Sequence, residues 1–297
     1  MTSNLAAVSY GVHLSPESLV DLRKALADAG VEVSSESQGG DHRFSVMTAG
    51  LAAGAEKLAD LATVRRHVAA AASTGIDTAI VPEGLRQASR KLLIMDVDST
   101  LIQQEVIELL AAHAGKREEV AAVTEAAMRG ELDFAQSLHA RVAVLAGLPV
   151  DVVESVRKEV RLSLGAAELV AAFKEAGHVV AVVSGGFNQI LRPIAVDLGL
   201  DHWIANELEI VDGVLTGKVL GAVIDRAAKE KYLREWAAAE GISLEHTIAV
   251  GDGANDLDML SAAGIGIAFN AKPAVRAAAD AAINMPYLDA VRHIANV

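Results

Sequence analysis

Asp96 and Asp98 stand one residue apart, directly after the apolar run Leu92-Leu93-Ile94-Met95, so two carboxylates emerge where a buried strand should end. Ligands of open α/β sheets collect at that edge, where helices begin and backbone N–H groups point outward. Like charges held this close repel, so one ionises and its neighbour keeps a proton unless a cation intervenes. One nucleophilic carboxylate, one carboxylic acid and a metal suit phosphoryl transfer.

Two further apolar runs end the same way: Val179 to Val183 before Ser184-Gly185-Gly186, and Thr247 to Val250 before Gly251 to Asp256. If these loops converge, Asp96 is the expected nucleophile, forming an aspartyl-phosphate that divides hydrolysis into two displacements. Asp98 is the expected acid, giving a proton to the leaving alkoxide and later taking one from water. Mg²⁺ prefers about six oxygen ligands, and Asp96, Asp252 and the main-chain carbonyl of Asp98 fit that need. Ser184 and the glycine N–H groups after it are expected to hold phosphate oxygens at a helix start. A lysine must neutralise the site, and Lys229 or Lys231 could serve.

The elements that position these residues form an alternation of strands and helices from Lys91 onward, the pattern of a doubly wound parallel sheet. The interval from Gln104 to about Leu162 holds several helical stretches, where one would suffice for a crossover, so an inserted cap is expected at about 104–163. Asp212-Gly213 between alternating apolar residues predicts a β-hairpin over Glu207 to Val219 at the sheet edge. Before the boundary placed near Ser89, residues 1–88 read as a separate α+β unit of order βαββαβ, a ferredoxin-like layer, leaving 89–297 as the core. Its elements are a strand over Ala6 to Leu14, a helix from Ser15-Pro16-Glu17 to Ala29 and strands near Val31 to Ser37 and Arg43 to Thr48 about a Gly39-Gly40 turn. A helix over Ala55 to Ala72 and a strand over Asp77 to Val81 complete it, before a breaker at Val81-Pro82-Glu83-Gly84 and a polar linker.

A net charge of −13 with no stripe of Lys and Arg argues against nucleic acid as a partner. No run reaches the ~20 apolar residues of a membrane span, and the start of the chain lacks a secretory pattern, so no membrane association and a cytoplasmic location are expected. The absence of Cys excludes disulfides and thiolate metal sites. The Ser184 context is not G-x-S-x-G, because position 182 is Val, which argues against a serine hydrolase. A lone Asp-x-Asp is usually a turn, and Gly264-Ile265-Gly266 reads as close packing.

The strings MDVDSTLIQQE, VVSGGF, AKEKYL and AVGDGAND, in that order, resemble the four motifs of haloacid dehalogenase-like phosphatases, and among them the phosphoserine phosphatases. The resemblance covers about Lys91 to the C-terminus and implies Mg²⁺-dependent hydrolysis of phosphoserine, the last step of serine synthesis. It selects Lys229 over Lys231, gives Asn255 a contact to phosphate or Ser184, and makes Asp256 an outer residue orienting the metal's water ligands. In the cap, the run AAMRGELDFAQSLHARV matches the family's substrate-recognition stretch, which implies roles for Met128, Phe134 and Arg141, with Glu105 after the first motif. Arg141 would clamp the substrate α-carboxylate, Glu105 would accept from the α-amine, and Met128 and Phe134 would close an apolar lid. Leu164-Gly165 departs from the Pro-Gly often found at this cap hinge. The N-terminal unit resembles ACT-type regulatory domains in element order only, which makes serine feedback and a homodimer expectations of that likeness. Transfer to another alcohol such as homoserine, action on a different small phosphate ester, and a serine-binding regulator with an inactive phosphatase half stay open.

Overall fold

The structure, a computed structural model, describes residues 4–54, 60–71, 75–128 and 131–297. A four-stranded antiparallel sheet holds β1 (Leu5–Gly11), β2 (Glu32–Gly40), β3 (Ser45–Ala52) and β4 (Ile76–Pro82) in the order β2-β3-β1-β4. Helix α1 (Pro16–Asp28) begins at Ser15, whose side chain accepts from Ser18 N–H at 3.1 Å, and Pro16 opens its first turn. Helix α2 is described over Leu61–Ala70, so the expected helix Ala55 to Ala72 lies partly outside the described residues. This is the ferredoxin-like order expected from the sequence.

This unit departs from its expected layout at two points. Gly39 and Gly40 end β2 instead of making the turn, and Gly40 takes φ +100° where a Cβ would meet the Phe44 carbonyl. The breaker after Val81 is no open linker: β4 runs through Pro82, and a short helix, α3 (Glu83–Gln87), buries Leu85 and Arg86.

The second sheet has seven strands in the order β11-β10-β9-β5-β6-β7-β8. Strands β5 (Leu92–Met95), β6 (Val179–Phe187) and β9 (Thr247–Gly251) lie side by side and parallel at its centre, as their apolar runs require. Strands β7 (His202–Val211) and β8 (Val214–Leu220) form the edge hairpin, its turn made by Asp212 at φ 51° and Gly213 at φ 75°, a pair that only short polar or Gly residues adopt cheaply. Strands β10 (Ile265–Phe269) and β11 (Ala281–Ile283) close the other side. Gly264 and Gly266 prove to be packing positions, pressed against the backbone of Glu245 and Leu260.

The expected cap is four helices: α4 (Val106–His113), α5 (Arg117–Met128), α6 (Phe134–Ala143) and α7 (Asp151–Glu159). Its stem is a pair of extended segments, in which Gln103 N–H donates to Arg161 O at 2.9 Å and Ser163 N–H to Leu101 O at 2.9 Å. Helix α8 (Ala166–Glu175) then returns the chain to the core.

The N-terminal sheet is not an appendage. Helices α1 and α2 cover one face through Leu5, Ala7, Leu26, Met47, Val64 and Ile80. The opposite face, with Val8, Tyr10, Phe44, Val46, Ala79 and Val81, belongs to the same continuous apolar cluster as β5, α8 and the C-terminal helix Ala290–Ala295. Polar contacts seal the seam: Tyr10 donates to Ala282 O at 2.7 Å, Asp77 accepts from Asn284 N–H at 2.7 Å, and Arg65 pairs with Asp280. The boundary near Ser89 thus separates two sheets that share one core. Among the described residues, no helix is long and apolar enough to cross a membrane.

Candidate active site

The carboxyl ends of β5, β6 and β9 meet at one place, and each delivers the side chains its motif promised. After β5 the chain makes a single wide turn over Val97–Leu101, with Ser99 held at φ 57°, a strained conformation for a residue with a Cβ. That turn separates the neighbouring aspartates. Asp96 Oδ1 accepts from Val97 N–H at 2.7 Å, while Asp98 Oδ1 accepts from Val106 N–H at 3.3 Å at the start of the first cap helix.

Lys229 lies in the first turn of α10 (Arg226–Ala239), which Asp225 caps by accepting from Ala228 N–H at 2.9 Å. Its ammonium is fully buried, 2.7 Å from Asp96 Oδ1 and 2.7 Å from Asp256 Oδ1. Burial pushes the Lys229 pKa down, but the two carboxylates outweigh it and hold the group above its ordinary range. Lys231 is on the exposed side of the helix, near Glu235. Of the two lysines, Lys229, the one the resemblance selects, is the one that reaches Asp96.

Carboxylate oxygens of Asp96, Asp252 and Asp256 all lie within 4.8 Å of one another. Asp256, expected to act from outside the metal's shell, has both oxygens engaged, Oδ1 with Lys229 at 2.7 Å and Oδ2 with Gly253 N–H at 3.0 Å. Gly251 has no Cβ because the Asp256 carboxyl occupies that space. The Asp98 carboxylate is not in the group, and only its main-chain carbonyl was expected to take part. Burial, then Asp256, raises Asp96 well above the usual carboxylate range, and burial with Asp256 and Glu105 brings Asp252 to about 6. Three carboxylates face one ammonium. An all-oxygen, electron-rich donor set short of positive charge fits a hard divalent cation such as Mg²⁺.

Burial, then the nearby Glu105, pushes Asp98 up to about 7. A carboxyl in that range is protonated often enough near neutrality to serve as an acid and can recover its proton in the next step. Asp98 and Asp252 have folded pKa values above their unfolded ones, so their stabilising contribution is complete below about pH 4 and is lost as pH rises through 6 to 7. Metal-free protein is expected to melt at lower temperature at pH 8 than at pH 5, with Mg²⁺ flattening the difference. Thermal melts in EDTA that do not fall across this range would refute the assignment.

Ser184 ends the apolar part of β6 and is buried, but no helix starts there: the strand runs to Phe187 and α9 (Asn188–Leu198) follows. Ser184 Oγ accepts from Gly186 N–H at 2.8 Å. Each glycine makes room for a neighbour. A Cβ on Gly186 would stand 2.6 Å from Asp98 Oδ2, and one on Gly185 would stand 2.9 Å from the Phe134 ring. Phe134 of the cap therefore rests directly over the core loop.

Asp133 caps α6 in a reciprocal box with Gln136, at 2.8 and 3.0 Å, and so fixes where Phe134 enters. Arg141, two turns on, is half-buried beside Glu105, Asp98 and Glu108; burial lowers its pKa, and these carboxylates offset the drop only in part. Glu105 Oε1 accepts from Ser99 Oγ at 2.7 Å. Asn255 sits against Gly253. Met128 ends α5, and its side chain lies outside the described residues. Two positions were missed in the sequence. Thr100 donates to Asp252 Oδ1 at 3.2 Å, and Asn206 binds Gly185 O at 2.8 Å and Ile224 N–H at 2.9 Å, holding the glycine loop. Thr100 lies inside the first motif and could have been suspected; Asn206 carries no local signal.

A family model described as haloacid dehalogenase-like hydrolase matches residues 93–261. A phosphoserine phosphatase of Streptomyces coelicolor is 60% identical over 227 residues, which are 76% of this chain and 55% of that protein. The chain thus spans little more than half the length of that relative. A solved haloacid dehalogenase family hydrolase from Salmonella enterica superposes with a TM-score of 0.82 at 28% identity, covering 97% of this chain and 98% of that one. A substrate-bound phosphoserine phosphatase structure superposes with a TM-score of 0.66 at 44% identity, covering 70% of this chain and 99% of its own. With a family model that covers more than half of its residues, the chain belongs to the haloacid dehalogenase-like hydrolases.

Proposed function

We propose that this protein is a Mg²⁺-dependent phosphoserine phosphatase that works through a phosphoryl group carried on Asp96. The observation that carries the reading is the pairing of a cap-borne Arg141 and Glu105 with the Asp96–Lys229–Asp256 centre, because it joins an amino-acid clamp to a phosphoryl-transfer site. The likeness to a substrate-bound phosphoserine phosphatase supports it.

Phosphoserine enters with its carboxylate toward Arg141 and its ammonium toward Glu105, while Phe134 excludes water. An Asp96 oxygen attacks phosphorus, the bond from phosphorus to the serine oxygen breaks, and Asp98 donates its proton to that oxygen. Water then attacks the phosphoryl group as Asp98 takes its proton, which frees phosphate and restores Asp96. Ser184, the glycine loop, Asn255 and Lys229 hold the phosphoryl oxygens. Asp96, Asp252 and the Asp98 carbonyl would hold Mg²⁺, with Asp256 beside them, and the ion would supply the charge that lets an anion approach these carboxylates.

Phosphate release from a panel of small phosphomonoesters, with Mg²⁺ and with EDTA, tests the reading; O-phospho-L-serine should be preferred and EDTA should stop turnover. Adding homoserine and identifying products separates hydrolysis from transfer. No release from any ester, with serine still bound, would favour a regulatory protein.

Arg141→Ala is expected to raise KM for phosphoserine by about 10-fold or more, the loss of one charged hydrogen-bonded contact, while p-nitrophenyl phosphate is hardly affected. Equal losses on both substrates would remove the clamp. Serine feedback through the N-terminal unit, a homodimer and a cytoplasmic location complete the proposal. Calorimetric titration of the full chain with L-serine that shows no heat would remove the feedback part.

A further inference from the structure

The stem by which the cap leaves the core passes under a contact made by the N-terminal sheet. Asp289 is buried at 1% exposure, and its carboxylate fills the space where Gly165 would carry a Cβ. Gly165 holds φ +81° at the start of α8, the point at which the returning arm of the stem re-enters the core. Asp289 is therefore wedged against the cap's hinge, beside the positive end of a ten-residue helix.

Its counter-charge comes from the other sheet. Arg43, which immediately precedes Phe44 and β3, reaches Asp289 with Nη2 at 2.5 Å and Nη1 at 3.4 Å, a two-pronged grip. The same guanidinium lies 5.6 Å from the Phe44 ring centroid and 5.4 Å from that of Tyr287, and the two rings stack at 5.6 Å. Asp41 holds its other side at 2.7 Å.

The segment 162–164 is caught between this assembly and the catalytic loop. On one side Leu288 N–H donates to Leu164 O at 2.8 Å. On the other, Ser163 N–H donates to Leu101 O at 2.9 Å, Ser163 Oγ donates to Thr100 O at 2.6 Å, and Thr100 Oγ1 donates to Asp252 at 3.2 Å. An unbroken series of bonded neighbours runs from Arg43 to the aspartate cluster.

We propose that Arg43 is a positioning residue for the cap: through Asp289 it fixes the Ser163–Gly165 hinge, and with it the seating of Phe134 and Arg141 over the substrate. The inference rests on the capped phosphatase reading for its kinetic consequence, and on geometry alone for its structural one. Arg43 touches no reacting atom. Its loss frees a hinge and leaves the chemical centre intact.

The test compares the full chain with Arg43→Ala, Arg43→Lys, Asp289→Asn and the Arg43→Ala/Asp289→Asn double variant. Hydrogen–deuterium exchange should rise in residues 101–104 and 161–166 of Arg43→Ala while β5, β6 and β9 keep their protection. KM for phosphoserine should rise several-fold with little change in kcat, and p-nitrophenyl phosphate, which needs no amino-acid clamp, should be spared. Arg43→Lys should recover part of the loss, and the double variant should be no worse than the poorer single one. Exchange that rises evenly across the whole chain, or equal losses on both substrates, would make Arg43 a stability contact and overturn the proposal. If the parent does not hydrolyse phosphoserine but stem exchange still rises in Arg43→Ala, the substrate reading falls and the positioning role is upheld.

Discussion

Asp96→Asn should abolish the phosphoenzyme and lower kcat by at least about 10⁴-fold, the scale at which loss of a covalent nucleophile leaves only binding and electrostatics. The fold should survive. Asp96 is one of three clustered carboxylates, and burial already opposes its ionisation, so a neutral amide of the same shape relieves repulsion as it gives up an ion pair. Lys229 keeps Asp256 as a partner at 2.7 Å. The melting temperature of the metal-free variant is therefore expected to stay within a few degrees of the parent, where about 1 kcal/mol corresponds to ~2–4 °C in a chain of this size. Acid-quenched labelling with phosphoserine carrying radioactive phosphate reads the first point, since label on any other residue would contradict the assignment of the nucleophile. Asp98→Asn is the informative contrast: it should retain the label while slowing both steps by about 10²–10⁴-fold.

Lys229→Met should be the most damaging single change to the fold. It removes the ammonium that Asp96 and Asp256 share and leaves two wholly enclosed carboxylates with no counter-charge. Removing one partner of a buried pair costs about 3–5 kcal/mol, a large part of a typical total stability. Arginine is no substitute, because a planar guanidinium cannot occupy the point that a compact ammonium holds between two oxygens. Lys229→Met/Asp256→Asn should recover part of the loss by deleting one orphaned charge, and Mg²⁺ should recover more. Urea unfolding of the parent and the two variants, with and without Mg²⁺, measures this, and a Lys229→Met midpoint equal to that of the parent would show that the ammonium adds no net stability to the cluster.

The chemical centre was legible in the sequence because its parts are local. Asp96 and Asp98 follow one apolar run, Ser184 another and Asp252 a third, and parallel strands buried on both faces put such run-ends on one edge. Lys229 was harder, since helix α10 offers two lysines that residue chemistry alone leaves open; the family resemblance chose Lys229, and it is Lys229 that meets Asp96. The bonds of Asp256 were not legible, because sequence spacing cannot show that a carboxyl four residues after Asp252 folds back over Gly251 and engages Lys229 and Gly253 N–H. Gly39-Gly40 was misread for an opposite reason: glycine pairs signal turns, but here Gly40 serves a close approach to the Phe44 carbonyl within a strand pair. The join between the sheets was invisible. Tyr10, Val46 and Val81 alternate as in any strand with one covered face, and nothing local says whether a helix or another sheet does the covering.

That shared core has a consequence for how the protein is lost as well as how it works. Cutting the chain near Ser89 would not release two independent bodies. It would uncover the Val8, Tyr10, Phe44 and Val81 face on one piece and its apolar counterpart on the other. Heat should therefore melt the chain in a single calorimetric transition, and a lesion in the N-terminal sheet should shorten the lifetime of the catalytic half in the cell without touching its chemistry. For proteases and chaperones, the two sheets are one object.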